Sequence, residues 1–204
     1  QWSMLVRLAR TELRQIVRST PFIVIAVFAF ANVFASAFGT TDAMYGTSVY
    51  PVTQLMLRLL DGALGLFLLI VLTFYAGEMI WRDRKFGIAD VVDALPVPNW
   101  IPLASKLSAL WASLVVLMVV GSGATMLFQL IKGYTVFELD LYATSLFGLD
   151  LPMWIAVSSL ALVLQVVSGH KYAGYGLMIV YFVLRAALPQ MGCLLYTSDA
   201  ADES

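Results

Sequence analysis

The densest array of reactive side chains lies between residues 78 and 93: Glu78, Trp81, Arg82, Asp83, Arg84, Lys85, Asp90, Val91 and Asp93. Mixed signs at this density make neither an acid–base pair nor a metal cage; they suit a face that meets solvent or another protein. The groups needed for covalent or hydrolytic chemistry are missing elsewhere. The one histidine, His170, falls in a short turn, and no His-Glu-x-x-His pair is present to hold zinc. No glycine-rich loop ending in Gly-Lys-Ser/Thr could cradle ATP phosphates, and the serines have no second histidine to complete a triad. The apolar stretches carry no row of carboxylates for a proton relay. No catalytic site, metal or cofactor is therefore expected.

The elements that position the charged array follow from composition. The 204 residues are 61% hydrophobic and 12% charged, with a mean hydropathy of +0.87. Soluble domains average about 45–50% apolar and about 25% charged residues, so a soluble globular domain and a disordered chain are both excluded. Twelve basic against thirteen acidic residues leave no surface for tracking nucleic-acid phosphates. The expected fold is all-α, a polytopic integral membrane protein with lipid as its solvent.

Residues 193–204, CLLYTSDAADES, read like the in-frame translation of a transposon-end adapter used in sequencing libraries, and are expected to be non-native. Excluding them removes the only cysteine, Cys193, and with it any thiol nucleophile or redox argument. It also removes Asp199, Asp202 and Glu203, leaving a slightly basic partial membrane domain over 1–192.

A membrane-spanning helix needs about 20 mostly apolar residues. The gaps between charges predict five spans, at about 21–38, 60–80, 107–129, 151–168 and 172–189. The second has charges at its ends, but residues 64–74 contain nine of Leu, Ile, Phe and Val, worth about −3 to −5 kcal/mol of insertion free energy. That outweighs a Glu78 placed near an end. The fifth contains Arg185, which must snorkel outward or face protein.

Arg7, Arg10, Arg14, Arg18, Arg82, Arg84, Lys85, Lys106 and Lys171 fall on one side of these spans, and only Arg58, Lys132 and Arg185 on the other. The basic side is expected to be cytoplasmic, with the N-terminus on it, and the loops at 39–56 and 130–150 outside. The lead lacks the pattern of a cleavable signal peptide, so the first span reads as a permanent anchor. In residues 2–18, Trp2, Leu5, Val6, Ala9, Leu13, Ile16 and Val17 keep helical spacing while the four arginines fill the remaining surface. This predicts an amphipathic helix lying in the membrane interface.

The second span is expected to continue into the cytosol as a mixed-charge helix through Lys85. Gly87 permits a break, residues 88–95 form a short second helix with Ile88, Val91, Val92 and Leu95 on one face, and Pro96 and Pro98 end it. Such a segment is either a docking element or a solvated connector. The outer loop carries Tyr134, Phe137, Glu138, Asp140, Tyr142, Phe147 and Asp150 and reads as an interfacial aromatic belt. Gly121-Ser122-Gly123-Ala124, and Ser158, Ser159 and Gln165, read as helix-packing groups.

The run YAGEMIWRDRKFGIADVVDALPVPNWIPLASKLSAL resembles permease subunits of type-2 ATP-binding-cassette transporters, in particular the branch that can be fused to a zinc aminopeptidase. FQLIKGYTVFELDLYATSLFGLDLP and GHKYAGYGLMIVYFVL fit the same branch, so the resemblance covers about 1–192. It implies six spans in the intact family, an interfacial N-terminal helix and a cytoplasmic coupling helix between spans two and three. It further implies a bacterial inner-membrane protein that moves a substrate with an ATP-binding-cassette ATPase subunit, as a homodimer or with a second permease half. By that resemblance Glu78, Trp81, Arg82, Asp83, Arg84, Asp90, Val91 and Asp93 lie at or near the ATPase-docking surface. The rival expectation is the membrane anchor of a larger aminopeptidase.

Overall fold

The computed structural model describes residues 2–43, 50–85 and 100–202, with side chains over 2–41, 50–82 and 100–188. The described chain is helical throughout: α1 Trp2–Val17, α2 Thr20–Ala43, α3 Thr53–Lys85, α4 Trp100–Ile131, α5 Leu139–Ala143, a π-helical stretch Thr144–Asp150, α6 Leu151–Val167 and α7 Lys171–Asp202.

Among the described residues, four segments are long and apolar enough to cross a membrane: Thr20–Thr41, Thr53–Arg82, Trp100–Ile131 and Leu139–Val167. The fifth expected span, 172–189, falls within α7 and reaches past the last described side chain. Arg185, expected either to snorkel outward or to face protein, is exposed, with its Nη2 donating to the Met153 sulfur at 3.2 Å.

The helices of the first three spans outrun the spans expected for them, because charged residues near an apolar segment do not end the helix. α3 has 33 residues and is about 50 Å long, against a hydrocarbon core of about 30 Å. Its charge-free stretch runs only from Gly62 to Gly77, so α3 carries Glu78 and Arg82 on turns that continue past that stretch. The fourth span begins earlier than residue 151, because α5 and the π-helical stretch run continuously into α6. Tyr142 therefore leaves the expected aromatic belt and is buried.

α3 is the hub of the bundle, packing against α2, α4, α6 and α7. Its buried stripe is Leu60, Leu64, Leu68, Val71, Leu72, Tyr75 and Met79, a helical repeat of three and four. Gly121 of α4 lets the two helices close up, since a Cβ there would meet the Leu60 and Leu64 side chains at 2.9–3.2 Å. Trp111 Nε1 donates to Ser158 Oγ at 2.8 Å, joining α4 to α6. Ser159 bonds only to the Ile155 carbonyl of its own helix among the described contacts.

α1 packs on α4. Ile16 is buried, and Leu13 and Val17 lie against the core, so much of the apolar stripe rests on protein. Trp2 and Val6 of the same stripe stay exposed.

Candidate functional site: the projecting end of α3

The last turns of α3 are fastened to three other helices by side chains that sit three or four residues apart. Glu78 Oε2 accepts a hydrogen bond from Lys171 Nζ at 2.6 Å, at the first residue of α7. Trp81 Nε1 donates to Gln165 Oε1 at 3.1 Å, near the end of α6. Arg82 Nη2 donates to both carboxylate oxygens of Glu12 on α1, each at 2.8 Å, and Arg82 Nη1 reaches Gln15. One turn nearer the membrane, the Tyr75 hydroxyl is hydrogen-bonded to Ser19 Oγ at the α1–α2 junction.

Each tie has a local cause. α6 ends at Val167, and Gly169 takes a positive φ of 67° that turns the chain back within four residues into α7. That tight turn places Lys171 beside Glu78. The Glu78 contact raises the Lys171 pKa above its ordinary value, the direct hydrogen bond being the largest cause. The Lys171 ammonium also lies 5.9 Å from the centroids of the Phe74 and Tyr175 rings. This pair is part-exposed, so its worth is small and its role is positional. Glu12 is the only acid of α1, and it faces α3 while the three arginines of that helix, Arg7, Arg10 and Arg14, are exposed.

Close backbone approach completes the frame. A Cβ on Gly77 would fall 2.4 Å from the Tyr175 ring, and one on Gly174 would fall 2.3 Å from Gln165 Oε1. Gln165 is fully buried, so it has little room to yield without releasing Trp81. Gly174→Ala is expected to lower the melting temperature in detergent by several degrees, from about 1–3 kcal/mol of overpacking and a lost hydrogen bond. Gly176→Ala, where a Cβ meets nothing within 4 Å, should leave it unchanged or slightly raised. Equal melting temperatures for the two variants would remove the argument for close packing here.

The eight residues assigned by resemblance thus divide. Glu78, Trp81 and Arg82 come together on α3 and are engaged with the chain's own α7, α6 and α1. Asp83 and Arg84 continue α3 to its end at Lys85. Asp90, Val91 and Asp93, with the expected short helix at 88–95, lie outside the described residues. Sequence reasoning missed Glu12, Gln15 and Lys171 as partners; the lone acid in a basic helix was the available signal for the first. Among the described residues, no group of three or more His, Cys, Asp and Glu side chains could hold a metal ion.

A family model described as ABC-2 family transporter protein matches residues 8–185. No curated protein matches the chain, and no solved structure does.

Proposed function

Because the chain belongs to the ABC-2 family of transporter membrane proteins, a family of multi-pass permeases, we propose that it is the permease subunit of an ATP-driven transporter. Its substrate path lies among the spans, and a separate ATP-binding-cassette ATPase docks on the segment that follows α3. The N-terminus and this docking segment lie in the cytoplasm, most naturally of a bacterium with the chain in its inner membrane. α7 serves as the fifth span: Ile179, Val180, Val183 and Leu184 give it an exposed apolar face. A second copy or a second permease half completes the transporter.

One observation carries this reading. The end of α3 projects past the charge-free stretch and is tied to α1, α6 and α7 at once. A force applied just beyond Lys85 would not bend α3 alone. It would move three other helices with it, which is what ATP-driven switching between two packings of the bundle needs.

In this arrangement Glu78, Trp81 and Arg82 position the base of the docking segment, while Asp83, Arg84, Asp90, Val91 and Asp93 form the surface the ATPase meets. The test is co-purification of an ATP-binding-cassette ATPase from native membranes. Reversing both charges in Arg84→Glu/Asp93→Arg should reduce recovery of the ATPase at least tenfold, with the permease still inserted and monodisperse. Unchanged recovery at physiological salt would overturn the docking assignment.

A further inference from the structure

Arg7, Arg10 and Arg14 of α1, and Arg18 just after its end, are all exposed. They recur every three or four residues and so share one face of the helix. No carboxylate of α1 neutralises that face, because Glu12 is held 2.8 Å from Arg82 on another side. Where the face ends, at Val17 and Arg18, an apolar groove begins. It is lined by Val17 of α1, Phe22, Ile23, Val27 and Phe30 of α2, and Val116 and Val120 of α4, and has a volume of about 400 Å³. That size falls within the range of about 300–1,000 Å³ usual for small-molecule sites. Ile23 and Val27 are more than half exposed, so the groove is not filled by the chain itself.

Cations at the foot of an apolar groove match an amphiphile with an anionic head. We propose that this groove binds an anionic phospholipid, with one acyl chain lying between α2 and α4 and the headgroup phosphate held by Arg14 and Arg18. The lipid comes from the leaflet at the α1 end of the bundle. Guanidinium groups suit the phosphate because they donate two parallel hydrogen bonds as well as charge. The site wedges lipid against the α1–α2 junction, where Ser19 meets Tyr75, so its occupancy would stiffen the joint between α1 and the first span.

The full chain, stripped of lipid in detergent, would be titrated with phosphatidylglycerol and with phosphatidylcholine, and bound lipid counted by native mass spectrometry. Phosphatidylglycerol is expected to be retained on the order of tenfold more tightly. Arg14→Gln/Arg18→Gln should abolish that preference, and Arg14→Lys/Arg18→Lys should keep most of it. Val27→Trp/Val120→Trp, which fills the groove and leaves the arginines in place, should also abolish retention. Equal binding of the two lipids, or a preference that survives groove filling, would overturn the proposal in favour of plain adsorption to charge. Should the double variants misfold, the wild-type chain decides: phosphatidylglycerol with a photoreactive acyl chain should label residues 22–30 and 116–120, and labelling confined to other helices sinks the site. Efficient disulfide cross-linking of two copies through Ile23→Cys, in a Cys193→Ser background in membranes, would instead assign the groove to a second copy.

Discussion

Arg82→Glu should release α1 from α3 and bring transport to background, and Glu12→Arg on the same chain should restore both. The wild-type guanidinium donates two hydrogen bonds to one carboxylate at 2.8 Å each, with the side chains 27% and 17% exposed. A charged hydrogen-bonded pair of this kind is worth about 1.5–3 kcal/mol when burial is only partial. Reversal does more than delete it, since two carboxylates then face each other beside Gln15. The free energy at stake exceeds the thermal energy several-fold, enough to undock an amphipathic helix whose Trp2 and Val6 already have no cover from protein. Limited proteolysis near the N-terminus, expected to accelerate markedly in Arg82→Glu, reports the release directly. The swapped pair rebuilds the attraction with the sign reversed, so protection and transport should return together. Arg82→Lys should give an intermediate result, because an ammonium does not reproduce the paired geometry. If the swap leaves α1 exposed to protease, the tie between α1 and α3 is not what holds that helix. Loss of ATPase binding in Arg82→Glu with full recovery in the swap would show that Arg82 acts through α1, which separates it from Arg84 and Asp93.

Four of the five expected spans were legible because lipid imposes a length and excludes charge, and both constraints act on local sequence. Their ends were not. Glu78 and Arg82 interrupt hydropathy without interrupting the helix, since their charged side chains find partners on α7 and α1. The fourth span was misjudged for a related reason. Tyr142 and the acids around it read as a wet interface, but the tyrosine hydroxyl is satisfied inside the bundle, and the π-helical stretch carries the backbone through without a break. At the base of α3, residue types and resemblance picked out Glu78, Trp81 and Arg82. Their partners are separated from them by 93, 84 and 70 positions, and no periodicity within one helix encodes which remote helix it will meet. Gln165 was readable as a packing group because an amide in an apolar helix must find a partner. That its partner would be an indole from α3 depended on the crossing that Gly174 permits.

At the opposite end of the bundle, Gln129→Leu should lower the melting temperature by several degrees, from a cost of about 1–3 kcal/mol. Gln129 is fully buried on α4. Its Nε2 donates to the Pro51 carbonyl at 2.9 Å, just before α3 begins. Its Oε1 accepts from the Tyr142 hydroxyl of α5 at 3.2 Å, a hydroxyl equally close to Thr125 Oγ1. One amide thus joins the entry of α3 to the entry of the fourth span, and leucine would leave the Pro51 carbonyl without this donor and the Tyr142 hydroxyl with Thr125 Oγ1 alone. Burying such a group unpaired costs about 1–3 kcal/mol. Tyr142→Phe removes in advance the hydroxyl that Gln129 would lose, so Gln129→Leu/Tyr142→Phe should lose less than the sum of the single variants. Ser159→Ala serves as the reference, because that hydroxyl bonds the Ile155 carbonyl of its own helix and its loss should be nearly silent. Additive losses in the double variant would mean that Gln129 and Tyr142 act independently. The N-terminal ends of α3 and of the fourth span would then be free to part when the Glu78–Arg82 end of α3 moves, where a coupled pair forces them to travel together.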